Sequence, residues 1–236
     1  MSRPEVAPAP GARSADSATT LSELYAARFS ASDREAKSRL WRVLWQGFFR
    51  RYVAPDACVV DLGAGSCELI NAVRAKRRIA IDLNPDLRRF AESGVETHAL
   101  ALTELLDVLT PGSVDVAFAS NVFEHLRSPE ALLEVLGVVR IALAPRGRLI
   151  IVQPNVRLTG GAFWDFFDHT LPLTEKGMAE ALALAGFRIV ESRARFLPYT
   201  TKGRLPQLDL LVRLYLALKP AQWLLGKQML IVAERA

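Results

Sequence analysis

The chain has 236 residues, of which 50% are hydrophobic, enough for one α/β domain with a full core and too apolar for a disordered or fibrous protein. A net charge of +5 with scattered Lys and Arg does not indicate a nucleic-acid-binding surface. The one basic cluster, at 74–78, is expected to cap a helix C-terminus. Cys58 and Cys67 lie too close together for a disulfide framework and form no metal-type pattern with the three histidines. We therefore expect reduced thiols, no metal, and a cytoplasmic location.

The N-terminal 52 residues divide into two parts. Residues 1–19 are rich in Pro, Ala and Ser without an apolar core like that of a signal peptide, which predicts a disordered tail. Residues 20–52 begin with a capping box and carry aromatic residues at helical spacing, which predicts two helices. Most of these aromatics are expected to be core, while Tyr25 and Phe29 are candidates for a lid that contacts a substrate.

A glycine-rich turn follows the first predicted strand. The apolar strand headed by Cys58 leads into D-L-G-A-G-S-C-E-L, in which Gly63 and Gly65 can adopt conformations closed to other residues and let a ligand lie on the main chain. The third glycine of the dinucleotide fingerprint is absent, because Glu68 stands at its place. Asp61, at the strand tip, suits an ammonium group or a hydroxyl better than a phosphate.

A second apolar strand ends in another acid, Asp82, about 20 residues further on, where β-α-β units bind ribose hydroxyls. Pro85 is expected to begin a helix that continues to about Ser93, and a third strand is predicted over 96–100. A fourth strand, 114–119, leads into S-N-V-F-E-H-L, with Glu124 and His125 opening the next helix. Further elements are a helix capped at Ser128, a strand at 148–152, a helix capped at Thr174, and strands at 187–191 and 228–233.

The succession of D-L-G-A-G-S-C-E-L, I-D-L-N-P and D-V-A-F-A-S-N-V-F-E-H-L resembles the class I S-adenosylmethionine-dependent methyltransferases. The resemblance runs from about Val53 to the C-terminus. It implies a Rossmann-like α/β fold with a seven-stranded, mostly parallel sheet, an antiparallel last strand, and helices on both faces. It also implies S-adenosylmethionine as the cofactor, and we assign its binding to residues at the carboxyl edge: Asp61, Gly63, Gly65, Asp82, Leu83, Leu100, Ala101 and Asn121.

The adenine contact departs from the pattern of the family. Many members have an acid near the end of the third strand, and this sequence has Leu100 and Ala101 there. Backbone groups of these two residues, with apolar packing from Leu83, are the alternative contact.

Two histidines are the candidate catalytic residues. His125 could act as a general base or could orient its loop by hydrogen bonding. His169 lies in an irregular, aromatic segment that this fold commonly uses for substrate contacts, and Trp164 and Asp168 are the candidate substrate residues within it. Because Asp168 and His169 are adjacent in sequence, their side chains need not converge.

These inferences define a domain organisation and a function. A helical lid at 20–52 precedes a methyltransferase domain at 53–236, with insertions at 154–174 and 196–226. The expected reaction is O-methylation of a hydroxyl on a small molecule, glycan or lipid-linked acceptor. An NAD-dependent oxidoreductase and a non-catalytic cofactor-binding protein of the same fold are the alternatives.

The apolar stretch within 205–226 is too short and too charged for a transmembrane helix. It is expected to cover the edge of the sheet or, alternatively, to lie on a membrane surface. No nucleic-acid partner is expected, and the sequence leaves the oligomeric state open.

Overall fold

The computed structural model describes residues 30–199 and 209–236. The predicted tail at 1–19 and the lid candidates Tyr25 and Phe29 lie outside these residues. The helices are α1 (Ala31–Gly47), α2 (Glu68–Ala72), α3 (Leu87–Phe90), α4 (Pro129–Ala142), α5 (Val156–Thr159), α6 (Glu175–Leu184), α7 (Asp209–Ala217) and α8 (Lys219–Leu225). The strands are β1 (Cys58–Leu62), β2 (Arg77–Asp82), β3 (Val95–Ala99), β4 (Val114–Ser120), β5 (Leu143–Pro154), β6 (Phe187–Leu197) and β7 (Gln228–Arg235).

All seven strands form one sheet, in the order β3-β2-β1-β4-β5-β7-β6. The pairs from β3 to β5 are parallel, and β7 runs antiparallel to both β5 and β6. The chain reverses its order of winding between β1 and β4, the position where open α/β sheets leave a crevice for ligands. The predicted fold class is therefore confirmed.

The central strands read as continuous apolar runs because helices cover both of their faces. Every residue of β1 is buried. One core lies against α4 and α6 and contains Leu136 and Met178, and the other lies against α1 and α2 and contains Leu44 and Ile70.

Helix α1 is anchored to the sheet by aromatic side chains at its C-terminal end. Its N-terminus has a capping box formed by Ser30 and Asp33. Phe49 is fully buried and contacts Phe118 of β4 and Phe196 of β6, with ring centroids 5.6 and 5.9 Å apart. These aromatics are core, as expected for most of the aromatic residues of this region.

The helix predicted from Pro85 to Ser93 is shorter than expected. Only Leu87–Phe90 is helical, since Ala91 is already extended and Asn71 holds the chain there by accepting a bond from the amide of Glu92. The basic cluster also divides. Arg74 donates to the carbonyl oxygen of Asn71 at the end of α2, as predicted, whereas the other arginines of the cluster belong to β2.

Helix α7 packs beside the N-terminal helix, and α8 packs against α7 and β6. The guanidinium of Arg213 donates to Gln46 of α1 at 2.7 Å, and the hydroxyl of Tyr215 donates to the carbonyl oxygen of Phe196 at 2.6 Å. Their outer side remains apolar and exposed, through Leu210, Leu214, Leu218, Trp223 and Leu224. Among the helices that the structure describes, none has the length and hydrophobicity needed to cross a bilayer.

Candidate functional site

The glycine-rich turn joins β1 to α2 in a tight, positive-φ conformation. Gly63 and Gly65 have φ values of +68° and +52°, as their residue type predicts. The amides of Gly63 and Ala64 both donate to the carbonyl oxygen of Ile81, which fixes the turn against β2. A Cβ atom on Gly63 would lie 2.4 Å from Cγ2 of Val122, so the turn also packs against the loop after β4.

Three carboxyl groups meet beside this turn. Burial, with Asp82 and Glu68 nearby, raises the pKa of Asp61 well above its usual value. Burial also raises the pKa of Asp82, although its oxygens accept hydrogen bonds from the amides of Gly65 and Asn84 at 2.7 and 2.8 Å. Burial raises the pKa of Glu68, and the positive charges of Lys37 and Arg34 partly offset this effect. A buried acidic group of this kind favours a ligand that brings positive charge and hydroxyl groups.

This chemistry fits S-adenosylmethionine and disfavours a dinucleotide. The ammonium and sulfonium groups compensate buried negative charge, and ribose hydroxyls can donate to carboxylates such as Asp82. A pyrophosphate would add two negative charges beside Asp61 and Glu68 and would meet the side chain of Glu68 where a glycine is normally found.

The other predicted cofactor residues lie along the same edge. Leu83 is 38% exposed, so its side chain is accessible at this edge. The amide of Leu100 donates to the carbonyl oxygen of Asp82, and the amide of Ala101 donates to Glu104. Because both amides already have partners, the carbonyl oxygen of Leu100 is the better candidate for an adenine contact. Asn121 is exposed at the tip of β4, with a φ of +51°.

Four polar residues converge beyond β4. Glu124 and His125 lie in a 3-10 turn, Phe123–His125, and not at the start of a helix as predicted; the helix begins after the N-cap Ser128. Asp168 and His169 come from the segment after α5. The ligand-type atoms of Glu124, His125 and His169 all lie within 4.8 Å of one another. The sequence predicted both histidines as catalytic candidates but not that they would meet.

Main-chain hydrogen bonds hold the two segments together. The carbonyl oxygen of Glu124 accepts the amides of Thr170 and Leu171 at 2.9 and 3.0 Å. The hydroxyl of Thr170 donates to the carbonyl oxygen of Leu126 at 2.8 Å. We call this set of three bonds the loop clamp.

The two imidazoles have different surroundings. Nδ1 of His125 lies 3.1 Å from the carbonyl oxygen and 3.3 Å from Oδ2 of Asp168, and the side chain is partly exposed. The ring of His169 is buried between aromatic rings, stacked on Phe166 at a centroid distance of 4.8 Å and 4.7 Å from Phe163. Adjacent in sequence, Asp168 and His169 nevertheless both reach His125. Trp164 is 58% exposed at the outer side of this segment.

Glu124 is the functional candidate that sequence reasoning missed. Its side chain is 1% exposed, and burial, with Asp168 nearby, raises its pKa to about 8. Within the described part of the chain, its Oε2 has no hydrogen-bond partner. The signal in the sequence was an acid beside a histidine at a strand tip, but nothing in the sequence showed that this acid would be buried.

The cluster and the cofactor edge are close. Burial raises the pKa of Asp82, and an electrostatic interaction with His125 acts in the opposite direction. The sheet, with this strand order and an antiparallel β7, has the Rossmann-like fold of methyltransferases.

Comparison with known proteins supports this class. Residues 60–151, which extend from within β1 to within β5, match the family model described as a methyltransferase domain. The match supports the predicted enzyme class, a S-adenosylmethionine-dependent methyltransferase, and the predicted cofactor. No curated protein matches the chain in sequence.

Solved structures share the fold at low sequence identity. A chain of the complex between the Haloferax volcanii Trm112 methyltransferase activator and its candidate methyltransferase aligns with a TM-score of 0.66 and 17% identity, over 90% of this chain and 96% of that one. A S-adenosylmethionine-dependent methyltransferase from Archaeoglobus fulgidus aligns with a TM-score of 0.62 and 19% identity, over 92% of this chain and 98% of that one. Geranyl diphosphate C-methyltransferase from Streptomyces coelicolor aligns with a TM-score of 0.58 and 13% identity, over 83% of this chain and 77% of that one.

Proposed function

We propose that the enzyme methylates a hydroxyl oxygen of a small molecule, glycan or lipid-linked acceptor. The observation that carries this proposal is the cluster of Glu124, His125 and His169 beside the cofactor edge. A hydroxyl is a weak nucleophile until it loses its proton, so an O-methyltransferase benefits from proton-accepting groups at the acceptor site. Amine and carbanion acceptors have less need of them.

The residues of the chain have separate tasks in this reaction. Bound S-adenosylmethionine supplies a methyl group that is already electrophilic, so the protein contributes mainly position and exclusion of water. Asp61 and Asp82 hold the amino-acid and ribose parts, and Gly63 and Gly65 allow close approach to the main chain. Asp168 orients His125, because a carboxylate at Nδ1 favours the tautomer whose Nε2 can accept a proton.

The acceptor is expected to enter along the segment from 160 to 169, above the cluster. Trp164 and Phe167 are exposed there, at 58% and 88%, although both are large and apolar. Exposed aromatic side chains beside polar groups are suited to a partly apolar acceptor.

The exposed apolar side of α7 and α8 favours a lipid-linked acceptor over a free sugar. Trp223 and Leu224 are 71% and 69% exposed, and the cations Lys219 and Lys227 are near them in sequence. Apolar side chains next to cations are typical of protein segments that lie on anionic membranes. We infer that this surface, 209–225, rests on a lipid bilayer at its cytoplasmic side.

A product analysis tests the reaction. The protein is incubated with methyl-labelled S-adenosylmethionine and a panel of hydroxylated lipids, glycans and small phenols, each paired with its amine analogue. Labelled methyl ethers that disappear with Asp82→Ala are the expected result. Products methylated only at nitrogen or carbon would overturn O-methylation, although the enzyme class would stand.

A vesicle co-sedimentation experiment tests the surface. We expect the wild-type protein to sediment with anionic vesicles. The double variant Trp223→Ser with Leu224→Ser should remain in the supernatant. Leu184→Ser is the matched control, because Leu184 is 72% exposed on α6, outside the surface. Unchanged binding of the double variant would refute the membrane contact. The Haloferax structure contains an activator protein bound to the methyltransferase. The alternative to a membrane contact is therefore that a protein partner binds this surface.

A further inference from the structure

The cluster beyond β4 has the composition of a metal site. Glu124, His125 and His169 each offer one ligand atom, and these atoms lie within 4.8 Å of one another. Two imidazoles and one carboxylate are a common ligand set for divalent transition-metal ions, and three protein ligands leave coordination positions open.

A second observation points to a ligand at the same place. The carboxyl group of Glu124 is almost completely buried, and its Oε2 has no hydrogen-bond partner among the described residues. A buried polar atom without a partner is costly, and an ion bound by that oxygen would satisfy it.

The outer contacts of His125 also match those of a metal ligand. Its Nδ1 faces the carbonyl oxygen and the carboxylate of Asp168, at 3.1 and 3.3 Å. Ligating histidines usually donate their second ring N–H to such a group, which fixes the tautomer and the ring orientation. Nε2 is then the nitrogen that remains for an ion.

The surroundings restrict movement of the ligands. The ring of His169 is packed between Phe163 and Phe166, and the loop clamp ties its segment to the main chain of Glu124. A site assembled from rigid, buried side chains keeps its geometry without an ion and needs little rearrangement to bind one.

We propose that Glu124, His125 and His169 bind one divalent transition-metal ion, such as Mn²⁺, Co²⁺ or Zn²⁺. Mg²⁺ and Ca²⁺ prefer oxygen ligands, so a site with two imidazoles selects against them. The proposed ion site follows from the positions of these side chains and does not depend on which reaction the enzyme catalyses.

The role of the ion rests on the proposed function. With the ion bound, an acceptor hydroxyl at an open coordination position would ionise more readily and pass its proton to a solvent water molecule. Its oxygen would then form the new O–CH₃ bond as the S–CH₃ bond of the cofactor breaks. With the ion bound, Nε2 of His125 would be a ligand, so the ion would replace His125 as the group that promotes loss of the acceptor proton.

A cobalt titration tests the site directly. Tag-free protein is treated with chelator, dialysed, and titrated with Co²⁺ while visible absorption and bound metal are measured, with Mg²⁺ as the comparison ion. We expect one Co²⁺ per chain and no comparable Mg²⁺ binding. Glu124→Gln and His169→Gln should each weaken Co²⁺ binding by at least about ten-fold, the loss typical of removing even an outer-shell partner.

The chain provides its own matched control. His98, the one histidine of the sequence outside the proposed site, lies on β3 at the edge of the sheet, so His98→Gln should leave Co²⁺ binding unchanged. Thermal unfolding and S-adenosylmethionine binding are measured for every variant, to show that lost metal binding does not reflect lost folding. Glu124→Gln keeps the side-chain volume and the main-chain bonds of the loop clamp.

The outcomes separate the two proposals. No saturable Co²⁺ binding, or binding that is equal in the wild type and Glu124→Gln, would overturn the metal site. Unchanged formation of methyl ethers after chelation would overturn the role of the ion and leave O-methylation standing. An intact Co²⁺ site in an enzyme that forms only N- or C-methyl products would leave the metal site and overturn the proposed function.

Discussion

Gly63→Ala is expected to destabilise the protein through two additive effects. The first is conformational, because Gly63 has a φ of +68°, and an L-residue in that region loses about 1–2 kcal/mol. The second is steric. The new Cβ would lie 2.4 Å from Cγ2 and 2.8 Å from Cβ of Val122, and forcing an extra carbon into a packed site costs about 1–3 kcal/mol.

The sum is about 2–5 kcal/mol, which corresponds to a fall in melting temperature of about 4–20 °C for a domain of this size. S-adenosylmethionine binding should weaken as well, because the amide of Gly63 and the neighbouring turn must shift away from Val122. Differential scanning calorimetry, urea unfolding and calorimetric titration of the cofactor measure the three quantities.

Gly112→Ala separates the two effects. Gly112 has a φ of +72°, but nothing lies within 4 Å of a Cβ built there. It should therefore show only the conformational loss, about 1–2 kcal/mol, with cofactor affinity unchanged. Equal destabilisation by the two variants would refute the argument that Val122 packs against the turn.

Three further predictions concern a buried carboxyl group, a core aromatic residue and a buried thiol. Because the native pKa of Asp61 is raised, the folded state holds a proton that the unfolded state releases, and this contribution falls as pH rises from the ordinary Asp value to the raised one. Asp61→Asn should therefore stabilise the cofactor-free protein more at about pH 8 than at about pH 5, and it should weaken cofactor binding. Thermal unfolding at the two pH values measures the stabilisation, and an equal increase in stability at both would contradict the prediction. Phe49→Ala should cost about 3–5 kcal/mol in urea unfolding, whereas Phe167→Ala, at an 88% exposed position, should stay within about 0.5 kcal/mol; similar losses would show that Phe49 does not anchor α1. Cys67 is fully buried with a raised pKa, so a thiol reagent should modify it only on unfolding, and rapid labelling of native protein would disprove its burial.

Most of the fold could be predicted from the sequence because its signals are local. The apolar run before Gly63 and the glycine-rich turn identify β1 and its ligand edge without any long-range information. The caps at Ser128 and Thr174 likewise locate the starts of α4 and α6. Helix α3 was misjudged, since Asn71 ends it through a contact from another helix.

The candidate site was harder to predict because it depends on contacts between distant segments. His125 and His169 could each be selected as a histidine at a ligand-facing position. Their meeting depends on the loop clamp, whose bonds to Glu124 are made by main-chain atoms and therefore leave no mark in the sequence. The burial of Glu124 follows from the same contact, so its importance could not be deduced from residue type.

The loop clamp also has a consequence for how this enzyme can diversify. It is made by the carbonyl oxygens of Glu124 and Leu126, the amides of Thr170 and Leu171 and one hydroxyl, so the side chains at positions 124, 125 and 169 take no part in it. Replacing any of those three side chains therefore breaks none of the three bonds of the loop clamp. Descendants of this fold could thus acquire a new acceptor chemistry by point substitution, with no remodelling of the polypeptide path.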